Sequence, residues 1–284
     1  MAAAKIAAAK KERVRVLRPP ARSADWWRLA HDPATVSRRA REAARRLGLR
    51  RTVLFREGQD VVELLQSPAA SAKQDRPRVY LSAGIHGDEP GGVEGLLRWM
   101  ESPAARAAAR RFHLTIVPCV NPSGLRANRR ADAAGRDLNR CFDKRPPVIA
   151  ALRRLCVRPF DLGLLLHEDY DGCGIYLYEL GSGGARWGHR LLRAARPYCP
   201  PDPSRTIESF PCDRGVIYRD ASALFFRAFF AQIGLPEGPY LYLQGTRRVF
   251  TVETPSEFDL AVRAEAHRAV IDAALELLAK ERKA

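Results

Sequence analysis

The sequence has no long uninterrupted apolar run, and no window approaches the roughly 18 apolar residues that indicate a membrane-spanning helix. Its first residues, MAAAKIAAAKKERVRV, are interrupted by lysine and do not form the continuous apolar stretch of an export signal. We therefore expect no membrane partner and predict a cytoplasmic protein.

Several common site motifs are also missing. The six cysteines form no Cys-x-x-Cys pair, which argues against a zinc ribbon or a thioredoxin-type site, and reduced thiols are expected. There is no Gly-x-Ser-x-Gly elbow and no Walker-type phosphate loop. Asp171 stands where a His-Glu-x-x-His zincin helix starting at His167 needs its second histidine.

Acidic residues are scarce, since 48 Lys and Arg oppose 32 Asp and Glu, a formal net charge of +16. The excess is concentrated in residues 1–51, which hold 15 basic and 4 acidic residues. Basic charge can attract nucleic acid, but charge alone specifies no partner. We expect no nucleic-acid partner, and keep a basic nucleic-acid-binding protein with a vestigial site as an alternative.

What the chain has is a repeated unit of a short apolar strand, polar residues and often a helix. The predicted strands are 51–55, 61–65, 79–83, 114–120, 162–166 and 249–252, and the predicted helices are 33–47, 91–100 and 260–282. This order favours an α/β fold with a parallel or mixed sheet. Such sheets collect ligands at the carboxyl ends of their strands, where His86, Asn121, His167 and Glu253 are expected to meet.

A metal site is indicated by His86 and Glu89, because a histidine and a carboxylate three residues apart can reach one ion from a turn. His167 is the preferred third ligand, since it follows an apolar strand and precedes acidic residues that can orient it. His31 and His267 lie in predicted helical or capping surroundings and are expected at the surface.

Three further segments could serve catalysis. Arg130 could stabilise an oxyanion, and Asn139 with Arg140 could clamp a carboxylate. Glu253, after the strand 249–252, is a suitable general base beside a metal-activated water.

Together, and in this order, the segments from about residue 78 to 256 resemble the zinc carboxypeptidase family. The motifs are His86-x-x-Glu89, Asn121-Pro-x-Gly124, Arg130, Gly135-x-Asp137-Leu-Asn139-Arg140, His167 and Glu253. The resemblance implies a mixed, mostly parallel central sheet flanked by helices, a phosphorylase/hydrolase-like sandwich. Residues 1–50 lie outside the match and are expected to form a basic N-terminal extension with a helix, and residues 51–284 a zinc carboxypeptidase-like catalytic domain.

The resemblance further implies one zinc ion held by His86, Glu89 and His167. Asp137 would orient His86, and Glu253 would act as general base. On the substrate side, Arg130 would polarise the scissile carbonyl, and Asn139 and Arg140 would bind a free carboxylate. Digestive members of the family carry a mobile tyrosine before the catalytic glutamate, and the spacing in this sequence does not single out its counterpart. The candidates are Tyr218, which we take as substrate-binding, Tyr240 and Tyr242.

Two substrate classes remain open. A peptide with a free C-terminal carboxylate is favoured by the Asn-Pro-x-Gly and Phe-Thr-Val-Glu-Thr-Pro elements. The succinylglutamate desuccinylase and aspartoacylase branch shares His-Gly-x-Glu and Asp-Leu-Asn-Arg, and it cleaves N-acyl amino acids. We therefore predict a zinc metallocarboxypeptidase, with an N-acyl amino acid amidohydrolase as the alternative. The sequence leaves the oligomeric state undetermined.

Overall fold

An eight-stranded sheet forms the centre of the computed structural model, which describes residues 30–68, 76–181, 185–219 and 230–281. The strands of this sheet are β1 (Arg50–Glu57), β2 (Asp60–Gln66), β3 (Arg78–Ala83), β4 (His113–Val117), β5 (Leu162–Asp169), β6 (Tyr176–Gly181), β9 (Val216–Tyr218) and β10 (Arg248–Pro255). Two short strands, β7 (Thr206–Ile207) and β8 (Phe210–Pro211), pair with each other in a separate ribbon.

The sheet has the strand order β1-β2-β4-β3-β5-β10-β6-β9. The pairs β3–β4, β3–β5, β5–β10 and β6–β9 are parallel, whereas β1–β2, β2–β4 and β6–β10 are antiparallel. The predicted mixed, mostly parallel sheet is therefore confirmed, and its parallel centre brings the carboxyl ends of β3, β5 and β10 to one edge.

The helices are α1 (Pro33–Leu47), α2 (Pro90–Glu101), α3 (Pro103–Arg111), α4 (Pro122–Ala127), α5 (Pro147–Leu155), α6 (Gly188–Ala195), α7 (Glu237–Leu243) and α8 (Leu260–Glu281). The first five begin with proline, whose fixed φ and missing N–H suit the first helical position. In the described part of the chain, no helix combines the length and the apolar character needed to cross a membrane.

The central strands are buried on both faces because successive side chains alternate between two cores. In β3, Val79 and Leu81 pack into the core formed with α1, α2, α6 and α8. Tyr80, between them, packs into the opposite core with α5 and α7. This double burial is why the strands appear in the sequence as continuous apolar runs.

Helix α1 has the predicted ends. The Asp32 side chain accepts hydrogen bonds from the N–H groups of Ala34 and Thr35, each at 3.1 Å, and Gly48 ends the helix with φ 68°. Its buried residues belong to the same core as α2, and Arg39 Nη1 lies 2.5 Å from Glu94 Oε2. The division at residue 50 stays a prediction.

Strands β5 and β10 extend beyond their predicted ends. Their pairing continues to Pro255↔Asp169, so His167 and Glu253 lie inside the strands instead of after them. The prediction of surface positions also fails for His267, which is fully buried in α8 with its Nε2 3.0 Å from the Thr254 hydroxyl.

Candidate metal centre and catalytic site

The first two predicted ligands lie between β3 and α2. His86 Nδ1 is 2.6 Å from Glu89 Oε1, and both residues are buried. Glu89 occupies the N-cap position of α2, but its side chain makes no capping hydrogen bond there. Its carboxylate is therefore directed to the histidines instead of the helix.

The third predicted ligand, His167, comes from β5 in the middle of the sheet. Its Nδ1 lies 2.8 Å from Glu89 Oε2, so each oxygen of this carboxylate faces one imidazole. One ligand atom from each of His86, Glu89 and His167 lies within 4.8 Å of the others. The structure thus brings together the three residues that the motifs select.

This donor set fits a catalytic zinc ion. Two imidazole nitrogens and one carboxylate oxygen are a known protein ligand set for such sites, with a further position open to water or substrate. Asp137 Oδ1 contacts His86 Nε2 at 3.2 Å and so directs Nδ1 of the same ring toward Glu89. Carboxylates in this position orient the imidazole and increase its basicity.

The charges of the cluster favour a bound cation. Burial opposes ionisation of Glu89, but His86 and His167 outweigh it and hold the pKa of Glu89 well below its usual range. Burial also lowers the pKa of His86, yet Glu89 and Asp137 overcome it and raise that pKa to about 9. The pKa of His167 is raised in the same way by Glu89 and Glu253.

These pKa shifts predict that metal affinity rises with pH. A raised pKa keeps the His86 proton bound until the pH exceeds about 9, and an ion can bind Nδ1 only after displacing it. We expect the apparent affinity for Zn²⁺ to rise about tenfold per pH unit near neutrality for each displaced proton. Calorimetry in buffers of different ionisation enthalpy measures the released proton, and a pH-independent affinity would contradict the prediction.

Glu253 is aligned with His167 on the neighbouring parallel strand, so their side chains leave the same face of the sheet. Withdrawal from water, reinforced by Glu89 and opposed by His167, raises the pKa of Glu253 to about 8. On the other side of β10, Tyr176 is its antiparallel partner. The Tyr176 ring centroid lies 5.9 Å from that of Tyr178.

Arg130 lies beside the cluster on the solvent side. Its Nε donates to Asp137 Oδ2 at 2.9 Å, and its Nη1 is 3.7 Å from Glu89 Oε1. The side chain is 45% exposed, so part of the guanidinium remains accessible to a ligand. Asp137 therefore contacts both His86 and Arg130.

Asn139 and Arg140 form a short 3₁₀ turn, Leu138–Arg140. The Asn139 Oδ1 accepts the N–H of Glu237 at 2.9 Å, which leaves the amide NH₂ as the donating end of the side chain. Arg140 lines a cleft of about 430 Å³ together with Arg136, Asp137, Cys141, Lys144, Arg145 and Pro146. The cleft is basic and shares Asp137 with the metal cluster.

The structure does not bring Tyr218 to this site. Tyr218 of β9 pairs with Glu179 of β6, and Glu179 pairs with Phe250 of β10, three residues before Glu253. Tyr218 is therefore two strands away from Glu253 and displaced along the strands by three residues. Its ring packs 4.0 Å from the Arg186 guanidinium. Tyr240, another candidate, is buried against Phe142 with ring centroids 5.2 Å apart.

The chain is similar to known proteins in part of its sequence and in its fold. Residues 75–157 match the family model of the succinylglutamate desuccinylase/aspartoacylase catalytic domain. Carboxypeptidase SOL1 of Arabidopsis thaliana is 34% identical over 90 residues, 29% of this chain and only 18% of that protein. A solved structure from Shewanella amazonensis, assigned as a metallopeptidase, is 25% identical with a TM-score of 0.75, covering 88% of this chain and 94% of its own.

In its fold and in the matched segments, the chain is similar to the zinc carboxypeptidase-like family. The family resemblance drawn from the motifs is thereby confirmed. A more distant metallo-carboxypeptidase from Pseudomonas aeruginosa shares the fold, with 18% identity, a TM-score of 0.57 and coverage of 87% of this chain and 69% of that one. It was solved in complex with (2-guanidinoethylmercapto)succinic acid.

In this carboxypeptidase-like chain, the matched segment holds only part of the site. His86, Glu89, Arg130 and Asn139 lie within residues 75–157, whereas the other ligand and the candidate base come from β5 and β10. Sequence reasoning did not place Tyr176 beside Glu253. The alternating pattern of residues 175–179 predicts the strand that would have done so.

Proposed function

We propose that this chain is a zinc-dependent metallocarboxypeptidase that hydrolyses a C-terminal peptide bond. One zinc ion would be held by His86, Glu89 and His167. The observation that carries the proposal is the position of Glu253, which pairs with His167 across the adjacent strand and interacts electrostatically with His167 and Glu89. A base at that position can reach a water over the donor cluster.

When bound, zinc lowers the pKa of water toward neutrality and polarises a carbonyl. Glu253 would take the proton from the attacking water on its carboxylate and later give it to the leaving amine. The raised pKa of Glu253, about 8, suits both transfers because the carboxyl can hold a proton and release it near neutral pH.

Arg130 would donate to the oxygen of the scissile carbonyl. Its Nε is held by Asp137 and its Nη1 approaches Glu89, so the guanidinium is fixed before substrate arrives. A preorganised donor of this kind stabilises the negative charge that develops on the oxygen.

Asn139 and Arg140 would bind the carboxylate of the substrate. The Asn139 amide NH₂ is the free end of that side chain, because Glu237 N–H occupies Oδ1. Arg140 lines a cleft of about 430 Å³ whose other cationic residues are Arg136, Lys144 and Arg145. This charge supports an anionic ligand.

The alternative is an N-acyl amino acid amidohydrolase that uses the same residues. It is favoured by the family model, which describes the succinylglutamate desuccinylase/aspartoacylase catalytic domain. Either substrate would present a carboxylate to Asn139 and Arg140. In both substrates this carboxylate belongs to the amino acid on the amine side of the cleaved amide, so the two reactions differ only in the acyl group, which is a peptide in one and acetyl or succinyl in the other.

A substrate panel tests the proposal. We expect the zinc-loaded protein to release the last residue from peptides with a free carboxylate and to spare the same peptides when amidated. N-acetyl and N-succinyl amino acids form the second arm. Turnover of these alone would replace the peptidase by the amidohydrolase, and turnover of neither, in protein with one zinc per chain, would reject both.

A cytoplasmic location remains part of the proposal and is supported by six free cysteines, five of them buried. The nucleic-acid alternative stays a prediction, because most of the basic segment, residues 1–29, lies outside the described residues.

A further inference from the structure

Behind the metal cluster, a second carboxylate joins several segments of the site. Glu168 follows His167 on β5 and points to the opposite face of the sheet, where its side chain is fully buried. Its Oε2 accepts the N–H of Gly91 at 2.7 Å. Its Oε1 accepts from the Thr254 hydroxyl at 3.2 Å and from Arg263 Nη1 at 2.5 Å.

Each of these contacts lies next to a residue of the candidate site. Gly91 is two residues after the ligand Glu89, at the start of α2. Thr254 is the residue after the candidate base Glu253, and it is level with Glu168 across the β5–β10 pair. One buried carboxylate therefore ties the backbone beside His167 to the backbones beside Glu89 and Glu253.

The approach of Glu168 to Gly91 is so close that any larger residue at position 91 would displace the Glu168 carboxylate. A Cβ atom at position 91 would lie 2.2 Å from Glu168 Oε1, well inside van der Waals contact. The negative charge is balanced by Arg263 of α8 and by the positive end of α2. His267, also on α8, contacts the Thr254 hydroxyl through Nε2 at 3.0 Å.

We infer that Glu168 is a positioning residue, which sets the separation of the metal ligands and the base through the backbones of β5, β10 and α2. This inference rests on the proposed function, but its first arm does not depend on the substrate. A buried, fully hydrogen-bonded carboxylate holds its partners in one arrangement, because any displacement leaves a buried charge unpaired.

The first arm measures zinc affinity by competition with a chelator. Glu168→Gln is expected to weaken Zn²⁺ binding about 10-fold, the lower end of the cost of losing a partner bonded directly to a ligand, because Glu168 acts on the ligands through the backbone. The matched control is Glu94→Gln, which removes a different buried carboxylate. Glu94 lies on α2 and is paired with Arg39 and Arg98. We expect this control to lower thermal stability while leaving zinc affinity within about threefold. An equal loss of affinity in both variants would reduce Glu168 to an ordinary core ion pair and overturn the inference.

The second arm uses Thr254, whose side chain is smaller and easier to replace. Thr254→Val keeps the shape but removes the hydroxyl, so β10 loses its bond to Glu168 while the Glu168–Arg263 pair remains. We expect kcat to fall about 10-fold with KM and zinc affinity nearly unchanged, because a small displacement of the base costs rate and not binding. Thr254→Ser should restore kcat.

The two failures are distinguishable. A panel without turnover would reject the proposed function and leave the zinc measurements on Glu168→Gln standing. Turnover with an unchanged kcat in Thr254→Val, or a serine variant as slow as the valine variant, would overturn the inference and leave the proposed function intact.

Discussion

Glu253→Gln is expected to lower kcat by about 10²- to 10⁴-fold while the protein still binds one zinc ion. Glutamine has nearly the same shape as glutamate, but its amide cannot accept the proton of the attacking water. The ligand atoms of His86, Glu89 and His167 are untouched by this change. KM should change little, because the predicted carboxylate contacts lie on Asn139 and Arg140.

Glu257→Gln is the matched control, since Glu257 is an exposed glutamate just after β10. This control should keep full activity. The measurement pairs steady-state kinetics with elemental analysis, so that loss of turnover can be separated from loss of metal. A Glu253→Gln protein that hydrolyses substrate at the normal rate would show that another group takes the proton.

Removal of a ligand should have the second large effect. We expect His167→Ala to weaken zinc binding by more than about 100-fold, beyond the cost of losing an outer partner. Activity should fall with the metal. The variant loses one of three donors, and Glu89 Oε2 loses the imidazole that lies 2.8 Å away.

His189→Ala is a suitable control because His189 lies outside the cluster and its Nε2 pairs with Asp213 Oδ2 at 2.9 Å. Titration of metal-free protein with Zn²⁺ gives the affinities, and circular dichroism verifies the fold. Glu89→Gln provides a second ligand variant that keeps side-chain volume. Full-strength zinc binding in both ligand variants would mean that the ion is held elsewhere.

The local half of the site could be predicted from the sequence because its residues are close in the chain. A turn between a strand and a helix brings His86 and Glu89 together, and the spacing of three already indicates this. His167 and Glu253 were also accessible, since parallel strands place their carboxyl ends at the same edge. The two strands that carry them were predicted too short, because their apolar residues end before the backbone pairing ends.

The contacts that depend on strand register could not be predicted. Tyr218 precedes Glu253 as the family pattern requires, but β6 runs antiparallel to β10 and parallel to β9, which carries Tyr218 away from Glu253. Because β6 lies between β10 and β9 and was not among the predicted strands, the sequence alone could not show that Tyr218 is distant from Glu253. His267 was misplaced for a similar reason, since its partner Thr254 comes from a strand and a titratable residue on a helix is ordinarily solvated.

The alignment of His167 with Glu253 has a consequence for the newly made chain. The two residues belong to strands that are far apart in sequence, and they meet only when β10 inserts between β5 and β6. Long-range pairing of this kind forms slowly, because the entropy of closing the long intervening loop is lost before the contacts form. If the chain is a peptidase, it becomes active only when its sheet is complete. Nascent or truncated chains that lack β10 would therefore have no peptidase activity.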